Sequence, residues 1–251
     1  MGEVIPRGFN RGITWRHPLV CAITTAVCTV LAIWAVVAAP VSSPVPGVSG
    51  LYIAAAVYVP VALWFGVWGC FAGYLSCVFM GFYLGMPWEF VLVWSLADFF
   101  EGFVPLMIYR SLKLKPATQL KRPNITYGLT ALLALDVVVS AVALVNAFSE
   151  VFIATFIVGI TVLIVQAAIE DRKTWITWLV VGVFIASMVS GVFGVGAMLA
   201  FGDIPMEIFS TVFFGWVFGD IIVLSTIGTI LTILLTPYIM KTRVYVRRFF
   251  S

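Results

Sequence analysis

The chain has 251 residues, of which 63% are hydrophobic and only 10% are charged. So few charged residues cannot cover a water-soluble surface, which excludes an ordinary soluble globular protein. Uncharged apolar runs of about 18 or more residues recur, and each is long enough to cross a hydrocarbon core of roughly 30 Å as a helix. Because these runs do not alternate as the strands of a membrane barrel do, the sequence predicts an all-α transmembrane bundle of about eight spans.

The 14 lysine and arginine residues fall into four clusters, separated by segments that each fit an even number of spans. The clusters are Arg7, Arg11 and Arg16; Arg110, Lys113, Lys115, Lys121 and Arg122; Arg172 and Lys173; and Lys241, Arg243, Arg247 and Arg248. Short basic loops stay on the cytoplasmic side. Both termini are therefore predicted to be cytoplasmic, and the protein is predicted to lie in the cell membrane.

This charge pattern divides the chain into a basic leader at 1–17, a transmembrane bundle at 18–240 and a basic tail at 241–251. The leader lacks a small-residue cleavage site, so we expect the first helix to be retained. An outer loop is predicted at 40–50, and a hairpin at Trp64–Trp68 divides the long uncharged stretch after it. Further spans are predicted at 89–110, at 125–147, from the outer turn at 148–150 back to 170, at 175–200 and at 207–240. The last is too long for one perpendicular span, so we expect it to be tilted, broken near Gly228 or Pro237, or extended beyond the membrane.

Two stretches, Leu84–Phe90 and Phe201–Phe209, look alike. Each contains a proline followed two residues later by a glutamate, and each opens an aromatic-rich helix with another acid about three turns later. This similarity suggests a 4+4 duplication with parallel halves at about 18–110 and 125–240. Ordinary helix capping, with proline and an acid in the first turn, is the alternative explanation.

Four acidic residues lie inside predicted spans: Asp98, Glu101, Asp136 and Asp220. An ionised carboxylate near the bilayer centre costs about 2.5 kcal/mol or more, and the predicted spans contain no lysine, arginine or histidine partner. These acids, with Trp94 one turn before Asp98, are predicted to bind a small cationic solute, a metal ion or protons. The alternative is that they are neutral and hold helices together by hydrogen bonds to Ser95, Asn146, Gln166 or Tyr83.

Several functions are disfavoured by the residue types present. The only histidine, His17, lies outside the predicted spans, which argues against bis-histidine haem ligation and zinc-protease chemistry. A phosphate-binding glycine-rich loop followed by Lys-Ser/Thr does not occur. We therefore expect no enzymatic activity, no cofactor and no nucleic-acid partner, and the identity of any metal ion stays open.

Short motifs in both parts of the chain form a recognisable set. They are Gly50-Leu51-Tyr52-Ile53-Ala54-Ala55-Ala56, Trp64-Phe65-Gly66-Val67-Trp68-Gly69 with Gly73, Trp94 to Glu101, and Trp216-x2-Gly219-Asp220. They resemble the substrate-binding membrane components of energy-coupling-factor transporters, and Ala22-x3-Ala26 is similar to the motif through which those components meet their coupling subunit. The resemblance implies capture of a vitamin, a base-like precursor or a metal ion, with separate coupling and ATPase subunits. That family usually has six helices.

Two other classes fit the sequence. Eight-helix sensory domains that precede bacterial kinases and cyclases look similar, although we expect no output domain after the basic tail. A structural or accessory subunit of a larger membrane complex is the third class, in which buried acids only stabilise helix contacts. The leading hypothesis is a membrane transport protein, or a transporter component, for a small cationic or vitamin-like solute.

Overall fold

The computed structural model describes residues 13–38, 51–116, 120–146 and 148–250. Within these ranges the chain is helical and contains no strand, which confirms the predicted all-α class. The predicted outer loop at 40–50, most of the leader and its residues Arg7 and Arg11 lie outside the described residues.

Eight helical segments occupy the described ranges. They are α1 (Arg16–Ile33, continued by a π-helical turn at Trp34–Ala38), α2 (Ile53–Phe65), α3 (Val67–Tyr83), α4 (Trp88–Ser111), α5 (Pro123–Val145), α6 (Ser149–Ile169), α7 (Arg172–Ala200) and α8 (Met206–Ile239). Five of them, α1, α4, α5, α7 and α8, are long and apolar enough to cross a membrane. The chain is thus a multi-pass helical membrane protein, and the total of eight spans stays a prediction because α2, α3 and the apolar part of α6 are shorter.

The predicted hairpin at Trp64–Trp68 is confirmed, with its turn at Gly66. This residue has a φ of 66°, a conformation that glycine adopts without steric cost. Helices α2 and α3 then pack so closely that a Cβ added at Gly69 would lie 2.3 Å from the Ala62 nitrogen. Glycine is therefore required at position 69.

The turns α3–α4 and α7–α8 have the same backbone structure. Gly85 and Gly202 both have positive φ, 72° and 80°. In each turn the glycine N–H bonds three residues back and the next N–H five residues back, at distances of 2.9 to 3.2 Å. The similarity of the two sequence stretches is therefore also a similarity of structure. The predicted 4+4 duplication would make α5 and α7 the counterparts of α1 and α3. Helix α1 packs along α3, whereas α5 packs chiefly against α6. The similarity is therefore clearest at the two turns.

Helix α8 tests one of the options for the long final element, a break near Gly228 or Pro237. It is continuous from Met206 to Ile239, and a π-helical turn at Leu224–Gly228 interrupts its α-helical geometry. Pro237 lies inside the helix without ending it. The helix is therefore irregular up to Gly228 but is not broken there or at Pro237, and its tilt or extension beyond the membrane stays a prediction.

The C-terminal tail docks onto the α2–α3 turn. Val246 N–H donates to the Trp64 carbonyl oxygen at 2.9 Å, and Val67 N–H donates to the Phe249 carbonyl oxygen at 2.9 Å. The Arg110 side chain bonds the carbonyl oxygens of Leu63, Val246 and Arg248 at 2.6 to 3.0 Å. The α2–α3 turn, the end of α4 and the tail therefore lie at one end of the bundle, as the basic clusters require.

Candidate functional site

Four helices, α2, α4, α7 and α8, pack around one another in the middle of the bundle. Glycines in α7 allow α8 to come close: a Cβ added at Gly194 would lie 2.7 Å from the Trp216 ring, and one at Gly191 would lie 2.7 Å from Val217. The helices thus bury side chains that lie far apart in the sequence. Three of the four predicted acids meet here.

Asp98 and Glu101 lie on one face of α4 and are held by tyrosines from the α2 region. Asp98 is 1% exposed, and the Tyr52 hydroxyl donates to its Oδ2 at 2.9 Å. Glu101 is fully buried, and the Tyr58 hydroxyl donates to its Oε2. Its Oε1 has no hydrogen-bond partner among the described residues. Both carboxyl groups are therefore held in position, and Glu101 keeps one oxygen available for a further partner.

Asp220 approaches the same place from α8. It is 1% exposed, and its Oδ2 lacks a hydrogen-bond partner in the described part of the chain. Ser190 of α7 lies beside both Asp220 and Glu101, and it accepts a hydrogen bond of 2.9 Å from the Trp216 indole N–H. The three carboxyl groups interact electrostatically. Three negative charges this close together in a buried place are unfavourable. Either a bound cation compensates them or protons neutralise some of the carboxyl groups.

A repeated Trp-x3-Asp pattern places a tryptophan one helical turn before each of two acids. Trp94 precedes Asp98 by one helical turn, and Trp216 precedes Asp220 in the same way. The two indole rings pack edge to face with their centroids 6.0 Å apart, and Phe90 stacks on Trp94 at 5.4 Å. Trp94 thus lies beside Asp98, and its part in binding a substrate stays a prediction. Sequence reasoning missed the pairing with Trp216, although the repeated pattern is readable in the sequence.

A narrow cavity, here called the acid cavity, lies between these groups. Its lining contains Tyr52, Cys77, Met80, Trp94, Asp98, Trp216 and Asp220. Its volume is about 10 Å³, so only about one water-sized molecule fits in this conformation. The lining contains two carboxyl groups and no basic side chain, so the cavity has an uncompensated acidic character.

The helices that carry the site are irregular close to it. Helix α4 has a turn at Ser95, three residues before Asp98. Helix α7 is π-helical at Trp178–Ile185, shortly before Ser190. Helix α8 is π-helical at Leu224–Gly228, shortly after Asp220. Pro105 in addition leaves the Glu101 carbonyl without its usual helical donor. Such irregularities are frequent at functional sites in membrane helices.

The structure does not bring Asp136 to the acid cavity. The Asp136 Oδ2 lies between α5 and α6, and a Cβ added at Gly159 would be 3.0 Å from it. Thr226 of α8 is nearby. Further polar pairs join the same two helices, and we call this row the polar seam. Its other pairs are Thr126 with Glu170, Thr130 with Gln166, and Ser140 with Thr155.

Glu170 anchors the polar seam at the start of α5. It is 2% exposed and accepts hydrogen bonds from the Lys121 N–H, the Arg122 N–H and the Thr126 hydroxyl. These donors belong to the first residues of α5 and the two residues before it, which have no helical acceptors of their own. The seam therefore serves helix cohesion, the role that the sequence left open for all the acids.

The predicted polar partners of the acids are replaced by others in the structure. Asn146 bonds the carbonyl oxygen of Val142 at 2.8 Å, and Gln166 belongs to the polar seam. Tyr52 and Tyr58 bind the acids instead. The sequence signal was a pair of tyrosines in an otherwise apolar segment, because a buried tyrosine hydroxyl requires a polar partner.

The two alanines predicted to bind a partner, Ala22 and Ala26, are exposed on α1. Their outward face also carries Ile23 and Val27, which are 56% and 46% exposed. The face is apolar and small in the middle. In a membrane it meets lipid or another helix.

The fold and the site together define a multi-pass helical membrane protein with a buried acidic cavity among its helices. Comparison with known proteins adds nothing to this class: no family model, no curated protein and no solved structure matches the chain.

Proposed function

We propose that this chain is a membrane transport protein, or the substrate-binding component of a transporter, that takes a small organic cation into the acid cavity. The observation that carries the proposal is the meeting of three buried carboxyl groups from two helices without a basic side chain among the cavity-lining residues. Buried intramembrane acids face a partner or a polar cavity because an isolated charge in hydrocarbon is costly. A cation supplies that partner.

The aromatic lining favours an organic cation. Trp94 and Trp216 place indole rings beside Asp98 and Asp220, and an indole face attracts an ammonium group by about 0.5 to 2 kcal/mol. A bare metal ion requires several converging ligands instead. Among the described residues, no group of three or more histidine, cysteine, aspartate or glutamate side chains has that arrangement. The cationic solute is therefore the better of the two substrate classes.

The closed cavity fits a transporter between substrates. Room for about one water-sized molecule means that a larger solute enters only after the helices move apart. The irregular turns at Ser95 and Leu224–Gly228 are the places where such a movement requires the fewest new backbone breaks. Until then, the carboxyl groups remain neutral by carrying protons.

We also propose that the Ala22 and Ala26 face meets a coupling subunit, which in turn binds an ATPase. The resemblance to energy-coupling-factor components motivates this proposal, and the exposure of both alanines supports it. Small residues on a membrane helix allow close approach of a second helix. Ala26→Trp is expected to abolish co-purification of such a subunit while leaving cation binding unchanged; co-purification at the original level would contradict it.

Thermal unfolding of the purified full chain tests the cation proposal. The probes are choline, tetramethylammonium and thiamine, with 3,3-dimethyl-1-butanol as the neutral analogue of choline. A cation at 100 times its dissociation constant should stabilise the protein by about 2.7 kcal/mol, and the neutral analogue should not. Asp220→Asn should abolish this effect, whereas the matched variant Asp136→Asn, in the polar seam, should keep it. No shift with any of the cations, or an equal shift in Asp220→Asn, would contradict the proposal.

A structural or accessory subunit is the second candidate. The bonds from Tyr52 to Asp98 and from Tyr58 to Glu101 favour it, because they join α2 to α4 without any ligand. In that case neither the parent protein nor Asp98→Asn should be thermally stabilised by any of the cations. Asp98→Asn should also leave a fixed complex intact in native mass spectrometry.

A further inference from the structure

A second cavity lies along the same pair of helices, closer to the end of the bundle that holds the basic loops. We call it the inner cavity. Helix α7 contributes Thr174, Trp175 and Trp178 to it, helix α8 contributes Thr229 and Thr232, and Pro116 of the basic loop closes one side. Its volume is about 20 Å³, which leaves room for one or two water-sized molecules in this conformation.

Two polar groups in this lining have no partner. The Trp175 indole N–H is buried in a residue that is 2% exposed, and the Thr232 hydroxyl is buried in a residue that is 9% exposed. Neither has a hydrogen-bond partner among the described residues. Leaving a buried donor or acceptor without a partner costs about 1 to 3 kcal/mol. Groups of this kind indicate a place for a polar guest.

The remaining lining groups are already satisfied and fix the shape of the cavity. The Trp178 indole N–H donates to the Thr229 hydroxyl at 2.8 Å. The lining therefore offers two indole rings, one free N–H donor and one free hydroxyl, and it contains no charged side chain. A guest that matches these groups has a positive or apolar part for the indoles and an oxygen that accepts a hydrogen bond.

The inner cavity is in line with the acid cavity. Helix α8 carries Asp220 on the acid cavity and Thr229 on the inner cavity, roughly 14 Å further along at 1.5 Å per residue. Between them lie Ser225 and Thr226, both buried in the π-helical turn. Thr226 faces Gly159 of α6, so the two cavities are linked by their position along the same stretch of α8.

We propose that the inner cavity is a second, uncharged binding station for the same solute, an organic cation that also carries a neutral oxygen acceptor. This inference rests on the proposed transport function. A station without carboxyl groups binds a cation more weakly than the acid cavity does, because only indole faces and hydroxyl oxygens attract the charge. A solute that moves from the acid cavity to this station is closer to release at the basic end of the bundle.

Cysteine labelling tests the second station in the full chain. The free cysteines Cys21, Cys28 and Cys70 are first replaced by alanine, and Cys77, which lines the acid cavity, is kept in both the reporter and the control. Thr232→Cys then reports on the inner cavity through its rate of reaction with 2-aminoethyl methanethiosulfonate. Thr236→Cys is the matched control, because Thr236 lies one turn further on α8, bonds Trp64 and does not line the cavity.

Choline, which has both the cation and the oxygen, should slow labelling of Thr232→Cys at least fivefold. Tetramethylammonium, without the oxygen, should protect less, and neither should affect Thr236→Cys. Labelling that choline does not slow, in a protein that choline still stabilises thermally, would overturn the second station alone and indicate a cavity for water. If choline and the other cations give no thermal stabilisation, the proposed function and this inference both fail. Thr174→Cys, on the opposite helix, serves as the reporter if Thr232→Cys does not fold.

Discussion

The acid cavity and the polar seam bury the same kind of residue in two different ways. In the seam, the Glu170 carboxylate accepts three hydrogen bonds from the start of α5 and its neighbours, and Asp136 lies against Gly159 of the partner helix. At the acid cavity, Asp220 and the neighbouring Glu101 each keep a carboxyl oxygen without a partner in the described part of the chain, and an unfilled space lies beside Asp98 and Asp220. The Asp136 Oδ2 also lacks a hydrogen-bond partner among the described residues, so the acid cavity differs from the seam in bringing acids from two helices together beside an unfilled space.

The largest expected effect is on the seam. Glu170→Ala leaves the Lys121 and Arg122 N–H groups without their acceptor, and we expect a loss of about 3 kcal/mol in the free energy of unfolding. The measurement is thermal unfolding in detergent, with Glu150→Ala, an exposed acid of α6, as the control. The folded fraction should still bind the cation with unchanged affinity. A loss of affinity equal to that of Asp220→Asn would show that the two regions are one unit.

A change confined to the acid cavity should lower the cation affinity, which the seam variant leaves unchanged. Gly194→Ala places a methyl group 2.7 Å from the Trp216 ring, which has to move. Overpacking of this kind costs about 1 to 3 kcal/mol, and we expect cation affinity to fall about tenfold. Gly196→Ala is the matched control on the same helix, because a Cβ there meets nothing within 4 Å. Equal affinities for the two variants in a titration would contradict the position of Trp216.

A smaller effect is expected when only the indole N–H and part of the ring are removed. Trp216→Phe loses the 2.9 Å bond to Ser190 and the stronger cation–π surface. We expect about a threefold to tenfold loss of cation affinity by isothermal titration, with the thermal midpoint of the unliganded protein little changed. Trp15→Phe, at a residue that is 71% exposed, should change neither quantity. An unchanged affinity in Trp216→Phe would remove the aromatic part of the proposed site.

The smallest effect on both regions should come from releasing the tail. Arg110→Gln removes bonds to the carbonyl oxygens of Val246 and Arg248, while the tail lies away from the acid cavity and the seam. Trypsin should then cut at Arg247 and Arg248 several times faster, because the docked backbone becomes accessible. Cation affinity should stay within twofold of the parent. Equal cleavage rates would mean that Arg110 does not hold the tail.

Much of the fold was predictable because membrane burial leaves a strong signal in composition. The apolar runs gave the helices, the Trp64–Trp68 segment gave the hairpin, and the placement of basic residues agreed with the ends that the structure brings together. The docking of the tail was not predictable. It depends on one arginine reaching backbone carbonyl oxygens far along the chain, and carbonyl oxygens exist at every residue.

The sequence by itself determined that this is a helical membrane protein and that Asp98, Glu101, Asp136 and Asp220 are its unusual groups, because any acid in an apolar span requires an explanation. Only the tertiary structure decided that Asp98 and Asp220 share a cavity with Trp94 and Trp216, with Glu101 close by, while Asp136 belongs to the α5–α6 contact. The physical reason is that helix spacing fixes which residues share a face of one helix. Which faces of different helices meet is decided by close packing at glycines such as Gly191 and Gly194.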